Sequence, residues 1–435
     1  REKDAAGTAL GFLLAYVQVK VDVPFKRLMH IIALVPVIAP PFAVATATLL
    51  LFGRNGMISR GIFGVRYDIY GLDGLTLVLT LSYFTVAYMN LRGMMMALDP
   101  ALDEAATNLG ASRWRIFRSV TVPMLIPGIA GSFLLLFVEA IADLGNPLVM
   151  GGNYEVLSTR IYVSIVGLYN TTAAAVLSVI LLVPSLLVFV VQRYWISRTS
   201  VVSVTGKPSG TPHMHRHPLI RWPLFAVAMF VTLFVIMIYG TIFAGSFTKI
   251  LNVNNELTLE HFDFVINGYG SEAMKDTTQL SIIATPIAGV LGMLIAFLVA
   301  RKKFLGRNAL DFATMLGIAV PGTILGIGYL LVFNEPSEIT LPLIGTVTVL
   351  PKLTGGRALL GGAAAIVLVY IVRSVPAALR SGVAALSQID PSLEEASISL
   401  GEDNFGTFRR VTLPLIRPAF LSGLIYAFAR SMTTI

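Results

Sequence analysis

The strongest candidates for functional residues lie in a polar segment that the sequence contains twice. The first copy runs from Asp99 to Pro127 and the second from Asp390 to Pro418, and 13 of their 29 aligned positions are identical without a gap. Hydrophobic residues make up 55% of the 435 positions and charged residues only 13%, so a repeated polar segment is unusual in this chain. Two matching polar segments predict two equivalent docking points for a paired protein partner.

Each copy is predicted to form a short helix, a glycine turn and a second short helix along the membrane surface. An aspartate–proline pair opens each copy, which suits an N-cap followed by the first helical position, and acids follow in the first turn. Gly110 and Gly401 are placed to end the first helix in the left-handed conformation. Pro123 and Pro414 are expected to break the chain before the next membrane span.

The first helix of each copy carries small or apolar side chains on one stripe, because they recur with the spacing i, i+3, i+4, i+7. A short helix with small side chains can approach a groove of another protein closely. The alternative is an elbow that merely connects two spans, and the presence of two near-copies at equivalent positions favours docking. The stripe consists of Leu102, Ala105, Ala106 and Leu109 in the first copy and Leu393, Ala396, Ser397 and Leu400 in the second.

At these residues the chain resembles the permease subunits of type I ATP-binding cassette (ABC) importers. Their cytoplasmic loop reads roughly E-A-A-x-x-x-G, nine variable positions, then I-x-L-P. Here valine replaces the isoleucine in both copies, Val122 replaces the leucine in the first copy, and Ser397 replaces the second alanine of the motif in the second copy. In that family the loop forms a coupling helix seated in a groove of the ATPase subunit. The resemblance, extended to one aromatic residue of each second helix, implies ATPase coupling by Glu104, Ala105, Ala106, Gly110, Phe117 and Pro123, and by Glu395, Ala396, Ser397, Gly401, Phe408 and Pro414.

The resemblance also implies the surroundings in which the chain works. We expect a multi-pass permease of the bacterial inner membrane, in contact with lipid, that moves solute inward by alternating access. Two copies of an ABC ATPase subunit would dock to it, and a periplasmic or lipid-anchored binding protein would deliver the solute. ATP and Mg would be bound by the partner ATPase, and this chain would bind no cofactor.

Two segments indicate which cargo to expect, because they are similar to segments of fused, duplicated permeases for ferric iron. They are IADLGNPLVMGG at 141–152 and FARSMTTI at 428–435. Fused permeases for 2-aminoethylphosphonate are similar too, so ferric iron is the expected cargo, and the phosphonate or another small solute is the alternative. A rival of a different class is an ion-coupled secondary transporter, which would leave the two repeated segments unexplained.

The usual motifs of catalysis, metal binding and nucleotide binding are missing from the sequence. It contains no cysteine, no G-x-x-x-x-G-K-[ST] phosphate loop, no H-E-x-x-H and no serine elbow. The net charge of +8 follows from basic cytoplasmic loops rather than from a nucleic-acid surface. We therefore expect neither an enzyme, nor a metal site, nor a nucleic-acid partner.

The elements that must position the repeated segments are membrane helices, because apolar runs of about 20 residues recur along the chain. We expect an all-α, polytopic fold made of two parallel repeats of the type I importer transmembrane domain. Ten spans are predicted, near residues 5–19, 28–52, 74–96, 124–142, 173–191, 219–244, 277–300, 309–333, 359–385 and 417–435.

The two halves are predicted to be repeats with the same orientation. GFLLAY at 11–16 aligns with GMLIAF at 292–297 at an offset of 281, whereas the polar segments align at an offset of 291. The predicted layout is a first repeat at 1–195, a basic cytoplasmic linker at 196–218 and a second repeat at 219–435. A twelve-helix parent is expected, from which the first repeat lacks its first helix and the second repeat lacks its last.

Charged and polar side chains within the spans are candidates for the translocation path. Glu139 lies inside a span, and the offset of 291 makes Arg430 its equivalent in the other half. Because an intramembrane charge is costly, we expect the two side chains to compensate one another near the axis between the halves, unless each is satisfied within its own half. Asp143 and Asn146 follow one turn further out, at the external mouth.

Prolines are expected to kink two helices near the path, with Pro36, Pro40 and Pro41 in one helix and Pro321 in its partner. The glycines that follow Pro321, among them Gly326, have a different interpretation. They could permit close helix packing instead.

Overall fold

The computed structural model describes residues 2–194, 214, 216–341, 345–354, 359–387, 389–390 and 392–433. The described residues form two compact units, Arg1–Asp263 and Phe264–Ile435. Each unit consists of apolar helices and contains one two-stranded antiparallel hairpin in a connecting segment.

The first unit begins with α1 and ends near α12, which extends across the division between the units. Its helices are α1 (Glu2–Lys20), α2 (Lys26–Ile38), α3 (Pro41–Phe52), α4 (Leu72–Ala97), α5 (Pro100–Asn108), α6 (Arg113–Ile116), α7 (Val122–Ala142), α8 (Gly145–Met150), α9 (Leu157–Val166), α10 (Thr171–Tyr194), α11 (Pro218–Ser246) and α12 (Glu260–Asn267). Two π-helical turns, Met57–Ile62 and Phe117–Thr121, and the hairpin of β1 (Thr248–Ile250) with β2 (Asn254–Leu257) complete it.

The second unit follows a similar order of long helices and polar connections. Its helices are α13 (Tyr269–Arg301), α14 (Arg307–Ala319), α15 (Gly322–Phe333), α16 (Ala363–Ser387), α17 (Ser392–Ser399), α18 (Asn404–Thr407) and α19 (Leu413–Met432). A hairpin of β3 (Ser337–Leu341) with β4 (Gly345–Leu350), a 3-10 turn at Leu359–Gly362 and a π-helical turn at Phe408–Thr412 connect them.

The prediction of an all-α membrane protein is confirmed, although not every predicted span is a straight helix. Seven described helices are long and apolar enough to cross a membrane, and two bent pairs raise the number to nine. The remaining predicted span, near 5–19, corresponds to the shorter apolar helix Ala5–Lys20. The two small hairpins lie in the connections between these helices.

Two of the predicted spans are broken at a proline. The predicted second span is divided into α2 and α3 at Ala39 and Pro40, and α14 is separated from α15 at Val320 and Pro321 with a bend of 105°. Ala39 and Val320 are extended, with ψ of 145° and 122°, which is the conformation that a residue before proline prefers. The kinks predicted at Pro40 and Pro321 are therefore confirmed as breaks at equivalent positions, whereas Pro36 lies inside α2 and does not end it.

Close packing of α1 on α4 and of α13 on α16 depends on two glycines at equivalent positions. A Cβ atom at Gly11 would lie 2.7 Å from the backbone N of Tyr88, and one at Gly292 would lie 2.4 Å from Cβ of Ala378. Around Gly326, by contrast, no described atom lies within 4 Å of such a Cβ. Within the second unit, close helix contact therefore occurs at Gly292 rather than at Gly326 or Gly328 of α15.

The compact units divide the chain at a later residue than the predicted repeats do. Helix α11, which opens the predicted second repeat, packs on α1, α2 and α3 of the first unit, and Val231, Val235 and Ile238 of α11 are buried in its cores. The predicted linker at 196–218 lies almost entirely outside the described residues. The repeat boundaries say which residues of the two halves are equivalent in sequence, whereas the compact units say which residues are in contact. The repeat boundaries therefore stay a prediction.

Candidate functional site

The two repeated polar segments form elbows of the same design, which we define as residues 99–121 and 390–412. In the first elbow α5 leads through a turn at Gly110 to α6 and a π-helical turn. In the second elbow α17 leads through a turn at Gly401 to α18 and a π-helical turn. The predicted order of helix, glycine turn and helix is confirmed in both copies.

Each elbow begins with a capped helix. The carboxylate of Asp99 accepts the backbone N–H of Ala101 at 3.0 Å, and that of Asp390 accepts the N–H of Ser392 at 2.9 Å. This hydrogen bond lowers the pKa of the Asp390 carboxyl. A lowered pKa means that the cap is fully present above the ordinary value of about 4 and is lost only as the pH falls through the lower value. We therefore expect the cap to be unaffected between about pH 5 and pH 8.

The first helix of each elbow, α5 or α17, which we call the coupling helix after the role that the resemblance implies, ends in a Schellman motif at the predicted glycine. Gly110 has φ of 76° and Gly401 has φ of 94°. In the first elbow the N–H of Ala111 donates to the carbonyl of Ala106 at 3.0 Å, and the equivalent bond of the second elbow measures 3.2 Å. A left-handed residue is needed at both positions, because only then can the chain reverse and use these free carbonyls.

Replacing Gly110 or Gly401 with alanine is expected to destabilise the corresponding elbow by about 1 kcal/mol, because a Cβ disfavours the left-handed conformation. Open space surrounds both positions among the described atoms, so backbone strain is the main cause. Amide hydrogen exchange in α5 or α17 should accelerate by about fivefold. The matched control is Gly93→Ala in α4, a glycine with similar open space and no left-handed φ, which should leave exchange in the elbows unchanged. Unchanged exchange in both elbow variants would contradict the prediction.

Pro123 and Pro414 do not break the chain, which corrects the sequence-based prediction. Helix Arg113–Ala142 continues through Pro123 as one candidate span. A π-helical turn precedes each proline, at Phe117–Thr121 in the first elbow and at Phe408–Thr412 in the second. The wider turn lies where the proline ring would crowd the preceding turn and where its missing N–H removes a hydrogen bond. In the first unit the helix therefore passes from the elbow into the next span without interruption, whereas in the second unit the helix continues through Pro414 and bends by 58° between Phe408–Pro418 and Phe420–Met432.

The apolar stripe of each coupling helix is exposed at its leucines. Leu109 is 88% exposed and its counterpart Leu400 is 87% exposed. Leu102 and Leu393, about two helical turns earlier, are exposed as well. Large apolar side chains exposed at matching positions in two copies of one element are typical of an interaction surface.

The motif residues divide between the outer face and the interior of the elbow. Ser397 is buried, and its hydroxyl shares a hydrogen bond of 3.0 Å with the hydroxyl of Thr407. Ser397 therefore joins the two arms of its elbow, and Ala106 at the same position of the first elbow is half-buried. The residues of the motif that are exposed beside the leucines are Glu104, Ala105, Glu395 and Ala396.

The inner face of each coupling helix forms an ion pair with the last residue of a long helix. Lys20 Nζ at the end of α1 lies 2.5 Å from Asp103 Oδ2, and these side chains are 6% and 17% exposed. Arg301 Nε at the end of α13 lies 3.3 Å from Glu394 Oε1, and these side chains are 13% and 16% exposed. Thr412 also donates to Glu394 Oε1 at 3.0 Å. Each coupling helix is thereby attached to its own unit.

The second arm of each elbow makes an aromatic contact with the same long helix. The rings of Tyr16 and Phe117 are 5.3 Å apart at 81°, and those of Phe297 and Phe408 are 5.0 Å apart at 66°. Both pairs have the edge-to-face arrangement that aromatic rings prefer. The structure therefore brings Phe117 and Phe408, which the sequence assigned to ATPase coupling, against helices of their own units.

The four candidate path residues have different surroundings. Glu139 and Arg430 are half-buried and belong to different compact units, so their pairing stays a prediction. Asp143 and Asn146 are buried and bind one another, because Asn146 Nδ2 donates to Asp143 Oδ2 at 2.6 Å. The hydroxyl of Ser158 donates to the carbonyl of Asp143 at 2.6 Å. These contacts join α7 to α8 and α9, while contact of the two residues with solute stays a prediction.

A resident metal or cofactor would need a cluster of ligating side chains. Among the described residues, no group of three or more His, Asp or Glu side chains is arranged to hold a metal ion. The expectation that this chain binds no metal and no cofactor, with ATP and Mg on a partner, stays a prediction.

Both elbows lie within segments that match one known protein family. Residues 7–201 and 288–435 match the family described as the binding-protein-dependent transport system inner membrane component, and together they make up well over half of the chain. The chain belongs to this family. It is therefore a transport component of an inner membrane with several membrane spans.

This transport component is similar to several curated relatives. It is 33% identical over 416 residues to a putative ferric transport system permease protein of Haemophilus influenzae, with 93% of the chain and 63% of the relative covered. It is 34% identical over 416 residues to a ferric transport system permease protein of Actinobacillus pleuropneumoniae, with 93% and 58% covered. It is also 25% identical over 197 residues to a molybdenum transport system permease protein of Escherichia coli, with 44% and 85% covered. The chain thus spans about three fifths of the length of the two ferric relatives.

Sequence reasoning about this transport component missed the inner contacts of the elbows. The signal was present in the register of the repeats, because the offset of 281 pairs Lys20 with Arg301 and the offset of 291 pairs Asp103 with Glu394. Each half therefore conserves one cation and one acid at equivalent positions. Their contact could not be read from the sequence, because 82 residues separate Lys20 from Asp103 in the chain.

Proposed function

We propose that the chain is the membrane-spanning permease subunit of an ATP-driven importer, and that one ATPase subunit docks at each elbow. The observation that carries this proposal is the matching pair of leucines at the ends of the two stripes, because Leu109 is 88% exposed and Leu400 is 87% exposed. The duplicated elbows favour two copies of one partner, because each would offer the same surface to an identical groove. Burial of Leu109 and Leu400 in the grooves of the two ATPase subunits would make association favourable at both elbows.

The permease would use the docked ATPases as an energy source and would catalyse no reaction itself. ATP and Mg would be held by the partner, and closure of the two ATPases would move the coupling helices together. Such a change can shift the permease between outward-facing and inward-facing states only if the docked partner contacts the two states differently. The exposed Glu104 and Glu395, beside the leucines, are suited to charged contacts at the rim of the groove.

The family description supports delivery of the solute by a binding protein, because it names a binding-protein-dependent transport system. We propose that this protein is periplasmic or lipid-anchored and hands its ligand to the outer face of the permease. Lipid would surround the exposed apolar faces of the spanning helices.

Ferric iron is the proposed cargo. The support is the similarity, over 93% of the chain, to two relatives named as ferric transport system permease proteins. A 2-aminoethylphosphonate or another small solute would use the same machinery, because the binding protein performs most of the selection.

Reconstitution with the ATPase and with candidate binding proteins tests both parts of the proposal. ATP hydrolysis in proteoliposomes should rise when Fe(III)-loaded binding protein is added and should not rise with a binding protein loaded with 2-aminoethylphosphonate. Stimulation by the phosphonate-loaded binding protein but not by the Fe(III)-loaded one would contradict ferric iron as the cargo and would leave the ATP-driven mechanism intact. Uptake of iron in liposomes that lack any ATPase would contradict the ATP-driven mechanism and favour a secondary transporter.

A further inference from the structure

Each elbow is held to one long helix at two points, which we call the helix-end clamp. In the first unit the clamp consists of Tyr16 and Lys20 of α1, which contact Phe117 and Asp103 of the elbow. The two helix residues are four positions apart, so they lie on one face of α1, about 6 Å apart along its axis. The aromatic residue contacts the second arm, and the cation contacts the coupling helix.

The second unit contains the same clamp made of different residue types. Phe297 replaces the tyrosine and Arg301 the lysine, with the same spacing of four positions. Phe297 contacts Phe408, and Arg301 pairs with Glu394. All four clamp positions thus keep their chemical character, although the register between the repeats changes by ten residues between the helix and the elbow. Two separately placed contacts have been retained together.

The two ion pairs of the clamp are largely buried, so they should hold the elbow firmly to the helix. The four charged side chains of the two pairs are at most 17% exposed, so water competes weakly for them. Removal of one partner would leave a poorly solvated charge, which is strongly unfavourable. Arg301 adds further restraint, because its Nη2 donates to the carbonyls of Leu386 at 3.0 Å and Ile389 at 2.8 Å. These carbonyls lie at the end of α16 and in the segment that leads into the coupling helix.

We propose that Lys20 and Arg301 are positioning residues that transmit movement of a docked ATPase from each coupling helix to α1 or α13. The proposal rests on the proposed function, because it assumes that a partner docks on the outer face of the elbow. In the first elbow the glycine turn would otherwise let the two arms move separately, and in the second the clamp adds to the hydrogen bond between Ser397 and Thr407 that joins the arms. A contact on each arm, one helical turn apart on a single rigid helix, makes the elbow and the long helix move as one body.

Charge reversal in both units tests the transmission. The double variant Lys20→Glu, Arg301→Glu should still co-purify with the ATPase and retain basal hydrolysis, since its outer stripes are intact. The experiment uses the loaded binding protein that stimulates ATP hydrolysis by the unaltered complex. Its stimulation of hydrolysis by the double variant should be about tenfold smaller. Adding Asp103→Lys and Glu394→Lys should restore stimulation. The variant Lys20→Arg, Asp103→Glu, which copies the pair of the second unit into the first, should behave as the unaltered permease.

One control variant and one alternative variant distinguish a loss of transmission from a general effect of charge reversal and from a failure to fold. Lys249→Glu reverses one charge of the exposed pair Lys249–Glu256 and should leave stimulation unchanged. If charge reversal prevents accumulation, the cysteine-free chain permits Lys20→Cys with Asp103→Cys, and joining the two thiols with a short bifunctional reagent should raise stimulation.

Stimulation that is unchanged by charge reversal, or that is unchanged by joining the thiols, would overturn the clamp. Parallel loss of ATPase association and stimulation, without recovery in the swapped variant, would also overturn it in favour of a purely structural role. An unaltered permease that fails to bind the ATPase would instead overturn the proposed function.

Discussion

Replacing Gly11 or Gly292 with valine is expected to prevent accumulation of a folded permease. A Cβ at Gly11 would lie 2.7 Å from the backbone N of Tyr88 and 2.8 Å from the backbone O of Phe84. Backbone atoms cannot rotate away as side-chain ends can, so α1 would have to separate from α4 along much of its length. Overpacking that displaces two helices should cost at least about 3 kcal/mol.

The same substitution at an open position provides the control. Gly240→Val in α11 and Gly326→Val in α15 place the new side chain where no described atom lies within 4 Å of the Cβ. Size-exclusion profiles and thermal unfolding in detergent should show a monodisperse peak for both controls and loss of that peak for Gly11→Val and Gly292→Val. Equal yields and equal melting temperatures for all four variants would contradict this explanation of the helix packing.

The double variant Leu109→Asp, Leu400→Asp is expected to abolish stable association with the ATPase without affecting the fold. Both leucines are almost fully exposed in the permease, so the substitution removes little internal packing. In a docked complex each leucine would be buried, and burial of a leucine contributes about 1.5–3 kcal/mol. Loss of two such side chains, with a carboxylate in the groove, should weaken association by at least about 100-fold.

The matched control is Leu305→Asp, which changes a fully exposed leucine in the turn between α13 and α14. It should leave association unchanged, because this turn lies outside both elbows. Each single elbow variant should bind with an intermediate affinity, since one docking surface remains. Pull-down of the ATPase and titration of ATP hydrolysis measure these differences. Full association of the double variant would show that the stripes face lipid or solvent rather than a partner.

The parts of the fold that follow from local sequence were predictable. Long apolar runs require helices in a membrane, and the aspartate cap and Gly110 fix the start and the end of a coupling helix within nine residues. The proline breaks at Pro40 and Pro321 follow from the restriction that proline places on the preceding residue. Repetition strengthened each inference, because two copies of a signal rarely arise without a common cause.

The parts that depend on contacts between distant residues were not predictable in the same way. The pairs Lys20–Asp103 and Arg301–Glu394 require knowledge of how α1 and α13 lie beside the elbows. The helix through Pro123 stayed continuous because a π-helical turn absorbed the proline, and no residue pattern specified that turn. Likewise, α11 packs with the first unit although the repeat assigns it to the second, because sequence equivalence and spatial contact are separate properties.

Cross-linking at Leu109 and Leu400 shows whether the elbows bind the ATPase. The chain contains no cysteine, so Leu109→Cys and Leu400→Cys can each carry a single thiol-reactive photo-cross-linker in the assembled complex. We expect each single variant to cross-link one ATPase subunit, the double variant to cross-link two, and Leu305→Cys to cross-link none. If neither elbow position cross-links more than Leu305→Cys does, then the elbows are not docking surfaces for an ATPase and the account is wrong.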